Sequence, residues 1–411
     1  MQEFNLQEFP NGLRLVHKQV PYTKLVHCGY ILDIGSRDEQ LHQQGLAHFW
    51  EHMAFKGTKH RSAYHILNRL DMVGGELNAY TTREKICFYA TVIDKHLPKA
   101  VELLTDITFN SVFPEKQIEK ERGVILEEMA MYEDAPEDAL QDNLDSLVFK
   151  NHPLGHNILG TTETLNSFQR QDFLKFLEEQ LDSERMILSI VGDISFNRAK
   201  QLVSRFWREI PQFKANRRRV AFKSYQAEEF TMHKHINQAH YGMGRTAYSL
   251  GHENRLPFVL LTNILGGPAN TSRLNLALRE KRGYVYGVDA SYVPYTDGGF
   301  FGITFATEPR QLKRAIGQTQ REMDKLAAKP LGTMQLHYAK EQLIGQLAMA
   351  EENNASLMLM MGKSILDLGK IDALEDIFAD IRKISAGQLQ DLARQMFNPA
   401  DFSHLYLLPE K

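Results

Sequence analysis

Hydrophobic and polar positions alternate at two different periods along this chain. Leu13 to Val20 and Lys24 to Ile34 alternate or run apolar over strand lengths, split by a turn at Pro21-Tyr22. A helical stretch follows and ends near Gly57. A second helix is predicted from Ser62, a good N-cap, to Gly74-Gly75. Leu77 to Val92 reads as a hairpin, since Tyr80, Ile86, Phe88 and Tyr89 favour sheet. Pro114 to Tyr132 reads as a helix: Pro114 suits a first turn, Glu115 complements the dipole, and Ile118, Ile125, Met129 and Tyr132 recur at helical spacing. Further helices run through Phe206, and Arg185 to Val191 is a strand among them.

The order then repeats. Gln238 to Gly244 is a strand, Leu256 to Leu265 a helix ending at Gly266-Gly267, and Gly287 to Val293 and Phe300 to Thr307 a hairpin. Long helices and a last strand, His404 to Leu408, complete the second half. Strands and helices without strict alternation predict an α+β fold of two similar domains, each a mixed, mostly antiparallel sheet with helices on one face. The polar, basic stretch from Gln212 to Lys223, with Arg217, Arg218 and Arg219 adjacent, predicts a solvated connector. The expected division is residues 1–211, a linker at 212–223, and residues 224–411.

The 411 residues are 43% hydrophobic, enough for two large cores. A net charge of −3 gives no reason to expect nucleic acid or an anionic membrane as partner. No apolar run approaches the ~18 residues of a spanning helix. Met1-Gln2-Glu3-Phe4-Asn5 lacks the basic and apolar regions of a secretory signal. Two cysteines, Cys28 and Cys87, are too few for a disulfide framework and read as packed thiols. A reducing, cytoplasmic setting is the expectation.

The chemistry is concentrated in His48-Phe49-Trp50-Glu51-His52. On a helix, positions 48 and 52 lie one turn apart and point the same way, so two imidazoles can grip one metal ion. Glu51 is placed to take a proton from a metal-bound water. A catalytic site commonly has a third protein ligand. Glu121 and Glu128 are seven apart and share a helix face, while Glu127 points about a quarter-turn away. The residues alone leave Glu121 and Glu128 as alternatives. Two imidazoles and a carboxylate suit zinc; iron, manganese or cobalt fit the same ligands less distinctively. The second-half helix Leu256-Pro257-Phe258-Val259-Leu260-Leu261-Thr262-Asn263-Ile264 has neither His nor acid, so that half cannot hold the same metal.

H-x-x-E-H is the order found in inverzincins. Followed 76 positions on by the Glu of Glu121-Arg122-Gly123-Val124-Ile125-Leu126-Glu127-Glu128-Met129, it resembles the pitrilysin, insulysin and mitochondrial processing peptidase family. Asn78-Ala79-Tyr80-Thr81, His152-Pro153-Leu154-Gly155 and Leu159-Gly160-Thr161 resemble family segments of the first half. Leu265-Gly266-Gly267, Ser272-Arg273-Leu274 and Leu278-Arg279-Glu280-Lys281-Arg282-Gly283-Tyr284-Val285-Tyr286 resemble the second. Pro268-Ala269-Asn270 then depart from the family's longer glycine-rich loop.

The resemblance implies a half-clamshell zinc endopeptidase acting on peptides or unfolded segments in an enclosed chamber. It assigns one Zn²⁺ per chain to His48, His52 and Glu128, and an orienting role to Glu121. Glu51 is the general base and a zinc-activated water the nucleophile. Arg279 and Tyr286 are implied as donors to the oxyanion, with Tyr284 a rival for Tyr286. Asn78, Ala79, Tyr80 and Thr81 are implied to line the substrate along a strand edge. A chain of this length implies a homodimer, or a heterodimer with a related chain. Two competing readings are a non-catalytic or partner-dependent subunit, as in respiratory-complex core proteins of this fold, and an S-ribosylhomocysteine lyase-type metalloenzyme. The first kind has lost the motif that is intact here. The second is much shorter and uses a cysteine ligand.

Overall fold

The computed structural model describes residues 4–216 and 219–410. Met1 to Glu3, part of the stretch read for a leader, and Arg217 and Arg218 of the basic run lie outside them. The chain forms two compact units, each assembled from separated segments. The first unit comprises Met1–Met129, His156–Arg219 and Met349–Ile371, and the second comprises Ala130–Gly155, Val220–Ala348 and Asp372–Lys411. The expected division was linear. The observed units instead take in one helical segment from the other half of the sequence.

In the first unit β1 (Asn5–Glu8), β2 (Arg14–Gln19), β3 (Leu25–Leu32), β4 (Glu76–Thr81), β5 (Ile86–Ile93) and β6 (Met186–Gly192) form one sheet in the order β1-β2-β6-β3-β5-β4. Only β2 and β6 run parallel. In the second unit β7 (Glu229–Lys234), β8 (Ala239–Thr246), β9 (Val285–Pro294), β10 (Gly299–Thr307) and β11 (Ser403–Pro409) form a sheet in the order β7-β11-β8-β10-β9. Only β7 and β11 are parallel there. Apart from β1, which has no counterpart in the second sheet among the described residues, the strands correspond, β2 with β7, β6 with β11, β3 with β8, β5 with β10 and β4 with β9. The fold is α+β with two similar domains.

Strand alternation explains the cores. In the first unit Val26, Tyr30, Leu32, Phe88, Leu188 and Ile190 face one side of the sheet, where they bury Phe49 and Trp50 of α1 (Leu46–Ala54). The helix Ala63–Asp71 (α2) and the helix Leu97–Phe109 (α3) add Ile66, Leu103 and Leu104 to this side. The intervening residues Val16, Ile31, Cys87, Ile187 and Val191 face the other way. They meet Leu357, Met358, Met361 and Ile365 of the helix Asn354–Leu368. This helix is a layer beyond the single helical face expected from sequence. The second unit repeats the device with the helix Pro136–Val148, whose Leu140 and Leu144 cluster with Leu405 and Leu407 of β11.

Arg219 sits in an ionic cluster of the first unit and not in solvent. Its guanidinium donates to Asp33 Oδ1 at 2.9 Å and to Asp38 Oδ1 and Oδ2 at 2.8 and 2.7 Å. Lys85 Nζ bridges Asp33 at 2.9 Å and Asp367 at 2.6 Å. This clasp holds the β4–β5 turn, since Glu84 and Lys85 belong to it. Cys28 and Cys87 are buried and unpaired, as expected.

Candidate metal centre

Two helices carry the site. Helix α1 begins at Gly45, in the left-handed region with φ 92°. The Glu39 carboxylate accepts hydrogen bonds from the N–H groups of Gly45 (2.9 Å) and Ala47 (2.7 Å). Buried carboxylate oxygens thus satisfy orphan donors at the helix start and fix its position. Burial pushes the Glu39 carboxyl well above the usual carboxylate range, against the pull of those two donors. Nothing in the sequence singles out Glu39, because its partners lie across an irregular loop.

The second helix, Glu115–Asp134 (α4), presents Ile118, Glu121, Ile125 and Glu128 as one stripe. Ile118, Glu121 and Ile125 are buried and Glu128 is half-buried, whereas Glu127 faces solvent. Two acids thus occupy positions where the helical period calls for apolar residues.

These helices bring His48, His52 and Glu128 together, with one ligand atom of each within 4.8 Å of the others. Glu128 Oε2 lies 3.9 Å from His48 Nε2 and 3.5 Å from His52 Nε2. Donors about 2.0–2.2 Å from a tetrahedral zinc stand roughly 3.3–3.6 Å apart. The donor set fits one small divalent cation. The other ring nitrogen of His52, Nδ1, lies 3.3 Å from Glu121 Oε2. A carboxylate can only accept, so Nδ1–H donates and Nε2 is left toward Glu128, the arrangement that orients a ligating imidazole. Lys56 Nζ holds the other Glu121 oxygen at 2.7 Å.

Electrostatics separate the two histidines. Burial, with His52 close by, lowers His48 to about 4, so it stands as a neutral imidazole with a lone pair to give. Burial also opposes charge on His52, but the hydrogen bonds to Glu128 and Glu121 outweigh it and raise its pKa. The hydrogen bond with His52 holds Glu128 below its ordinary value, against partial burial. Burial raises the Glu51 carboxyl, although the Thr81 hydroxyl donates to Glu51 Oε2 at 2.6 Å.

Strand β4 is the free edge of its sheet, paired only with β5 among the described residues. The four residues implied to line substrate divide between its faces. Ala79 packs with the core that holds α1, and Thr81, two residues on, reaches Glu51. Tyr80 packs on the opposite face, under Lys363 Nζ at 4.9 Å from its ring centre, and Asn78 shares that alternation.

Three comparisons with known proteins bear on this site. Residues 14–162 match the family described as insulinase (peptidase family M16), and residues 167–343 match the peptidase M16 inactive domain. The chain belongs to peptidase family M16. This M16 chain is 34% identical to an uncharacterized zinc protease, YmxG, of Bacillus subtilis over 94% of each chain. An uncharacterized zinc protease of Rickettsia bellii is 33% identical, over 97% of this chain and 96% of that one. In fold, the chain resembles a peptidase M16 inactive domain structure from Pseudomonas fluorescens, with TM-score 0.92, 16% identity and coverage of 99% and 98%. It also resembles a protease from Helicobacter pylori, with TM-score 0.89, 18% identity and 99% coverage of each. Family membership supports a zinc peptidase in general terms. The M16 inactive-domain match falls on the half whose helix Arg255–Gly266 carries neither histidine nor acid.

In the second unit of this M16 chain, Arg279 lies on a short π-helical turn, Asn275–Glu280. Its Cζ stacks 5.5 Å from the centre of the Tyr286 ring, at the start of β9. Tyr286 is 88% exposed, whereas Tyr284 packs partly buried against that unit's core. Of the two tyrosines, Tyr286 is the one beside Arg279. No helix among the described residues is long and apolar enough to cross a membrane.

Proposed function

We propose that this chain is a zinc-dependent endopeptidase acting on peptides or unfolded segments in an enclosed chamber. The observation that carries the reading is the convergence of His48, His52 and Glu128 beside a half-buried carboxylate, Glu51, that is not one of the three. One Zn²⁺ per chain would be held by His48, His52 and Glu128, supplying Lewis acidity and a water acidic near pH 7. Glu51 is the general base. It accepts the proton of the attacking water and returns it to the leaving amine, and its raised pKa suits both steps. Glu121 orients His52 through Nδ1.

A peptide adding to β4 would gain main-chain hydrogen bonds along Asn78–Thr81. Since Tyr80 faces away from α1, the contribution of these four residues is chiefly their backbone. Arg279 and Tyr286 are proposed to donate to the oxyanion. We take the working species as a homodimer in which each chain completes its partner's chamber, with a heterodimer of related chains as the alternative. Two buried, unpaired thiols suit a reducing compartment, and the cytoplasm is the proposed setting.

The test is mass spectrometry of products from an unfolded peptide library, with and without chelator, alongside elemental analysis. About one zinc per chain and chelator-sensitive cleavage support the reading. Zinc-replete protein that cleaves only after a related chain is added would make it a partner-dependent subunit. Zinc-replete protein inactive under every pairing would overturn it.

A further inference from the structure

The proposed base and the proposed substrate strand are joined by one hydrogen bond. The Thr81 hydroxyl donates to Glu51 Oε2 at 2.6 Å, and Thr81 is the last residue of β4. A carboxylate accepts only, so the direction of this bond is fixed by chemistry. It engages one Glu51 oxygen and leaves Oε1 as the oxygen free to take a proton.

The position of Thr81 is itself strongly determined. Its partner across the hairpin is Ile86, fully buried in the core beneath α1. The next residue, Thr82, closes the turn by donating from its N–H to Lys85 O at 2.8 Å and from its hydroxyl to the same oxygen at 3.2 Å. Lys85 is in turn held by Asp33 and Asp367. The donor on Glu51 is therefore mounted on a braced turn and not on a loose loop. A β-branched residue in a strand also has restricted χ1 freedom, so the hydroxyl is aimed at little entropic cost.

We infer that Thr81 is a positioning residue for Glu51: its hydroxyl selects the oxygen that acts as base and ties that oxygen's position to the strand along which substrate docks. The inference rests on the endopeptidase reading above. A general base works only within about hydrogen-bond reach of the proton it takes, and a misplacement of about 1 Å can cost on the order of 10²-fold. A peptide lying on β4 is referenced to the same strand as the base. One element then sets the distance between the scissile carbonyl and Oε1.

The decisive variants are Thr81→Val, which keeps shape and strand preference but removes the donor, and Thr81→Ser, which keeps the donor. Each is measured for zinc content, melting temperature, kcat and KM on a quenched peptide. Binding of a labelled peptide to the zinc-free protein is measured by anisotropy. Thr81→Val is expected to keep zinc, peptide Kd and KM within about twofold while kcat falls by roughly 10- to 100-fold. Thr81→Ser should recover most of that loss. In a Glu51→Gln background Thr81→Val should cost little more, because the group it positions is already gone.

Unchanged kcat in Thr81→Val, with active wild type, overturns the inference and leaves the endopeptidase reading standing. A loss confined to KM and peptide Kd also overturns it, since the hydroxyl would then grip substrate. Wild type inactive with zinc bound, under every pairing tried, sinks both.

Discussion

Gly45 and Gly160 meet backbone to backbone at the start of the helix that carries the two histidines. A Cβ on Gly45 would lie 2.4 Å from the Leu159 carbonyl oxygen, and one on Gly160 would lie 2.3 Å from that of Gln44. Both residues are in the left-handed region, with φ 92° and 85°. Only glycine satisfies the conformation and the approach together. Gly160→Ala is therefore expected to destabilise the first unit by about 2 kcal/mol or more, from left-handed strain plus the clash. The displaced α1 should also bind zinc more weakly. Thermal unfolding and metal competition check this; a wild-type melting temperature in Gly160→Ala would contradict it.

Glu51 lies beside the converging His48, His52 and Glu128 without being one of the three. Glu51→Gln should keep full zinc occupancy and lose roughly 10²–10⁴-fold in kcat, the usual worth of a general base. The amide keeps the shape and can still accept from Thr81, so folding should be preserved. Elemental analysis and peptide cleavage on the same sample decide it. Near wild-type turnover would remove Glu51 from the mechanism.

Zinc affinity should depend on one proton across the mildly acidic range. Zinc competes with protons for its ligands. In the zinc-free protein burial holds His48 unprotonated down to about pH 4. Glu128, bonded to His52, is depressed and remains ionised as pH falls. His52 is raised above 6.5, because its carboxylate partners outweigh burial. As pH falls below the His52 value, only His52 must shed a proton to bind metal. The association constant should then drop about tenfold per pH unit down to roughly pH 5. Chelator competition from pH 5 to 8 measures the slope. A hundredfold drop per unit near pH 6 would mean that both histidines protonate together.

Much of this fold is legible in the sequence, and the exceptions have physical causes. β3, β5 and β6 are read correctly because both sheet faces are buried and apolar residues are forced on them. β1 and β7 escape notice because they are largely exposed edge strands, and water imposes no alternation on them. The histidine pair and the Glu121–Glu128 face follow from helical period alone. The separation of Glu121 from Glu128 by role does not; it depends on which acid meets the outer nitrogen of His52. Glu39 and Thr81 are invisible as positioning groups because their partners come from separate elements. Arg219 reads as solvated because its neighbours in sequence are polar. Its acidic partners, Asp33, Asp38 and Glu84, are gathered only by folding.

That burial gives Arg219 a measurable role in stability. Arg219→Met should cost roughly 3–5 kcal/mol, because it removes one partner from a buried charge cluster. Asp38 is fully buried at its side chain and accepts from Nε and Nη2 of the guanidinium, one oxygen to each. Arg219→Lys should recover only part of the loss, since a single ammonium cannot reproduce the fork. Denaturant unfolding measures both. A change below about 1 kcal/mol in Arg219→Met would place the residue among ordinary surface charges.

The last expectation concerns Arg279 and Tyr286. If the working species is a homodimer in which this pair serves the partner's zinc site, two inactive variants should rescue one another. Glu51→Gln lacks the base but keeps the pair. Arg279→Ala with Tyr286→Phe lacks the donors but keeps the zinc ligands and base. A mixed dimer then contains one site with both defects and one with neither, so activity should return to at most about half of wild type. Loss of the donors alone should cost about 10²–10³-fold, by analogy with other oxyanion donors. If the pair serves its own chain's zinc, both sites of the mixed dimer remain defective. Co-refolding the variants and assaying a quenched peptide distinguishes the two arrangements. Mixed dimers seen by native mass spectrometry without any recovered cleavage would exclude the cross-chain one.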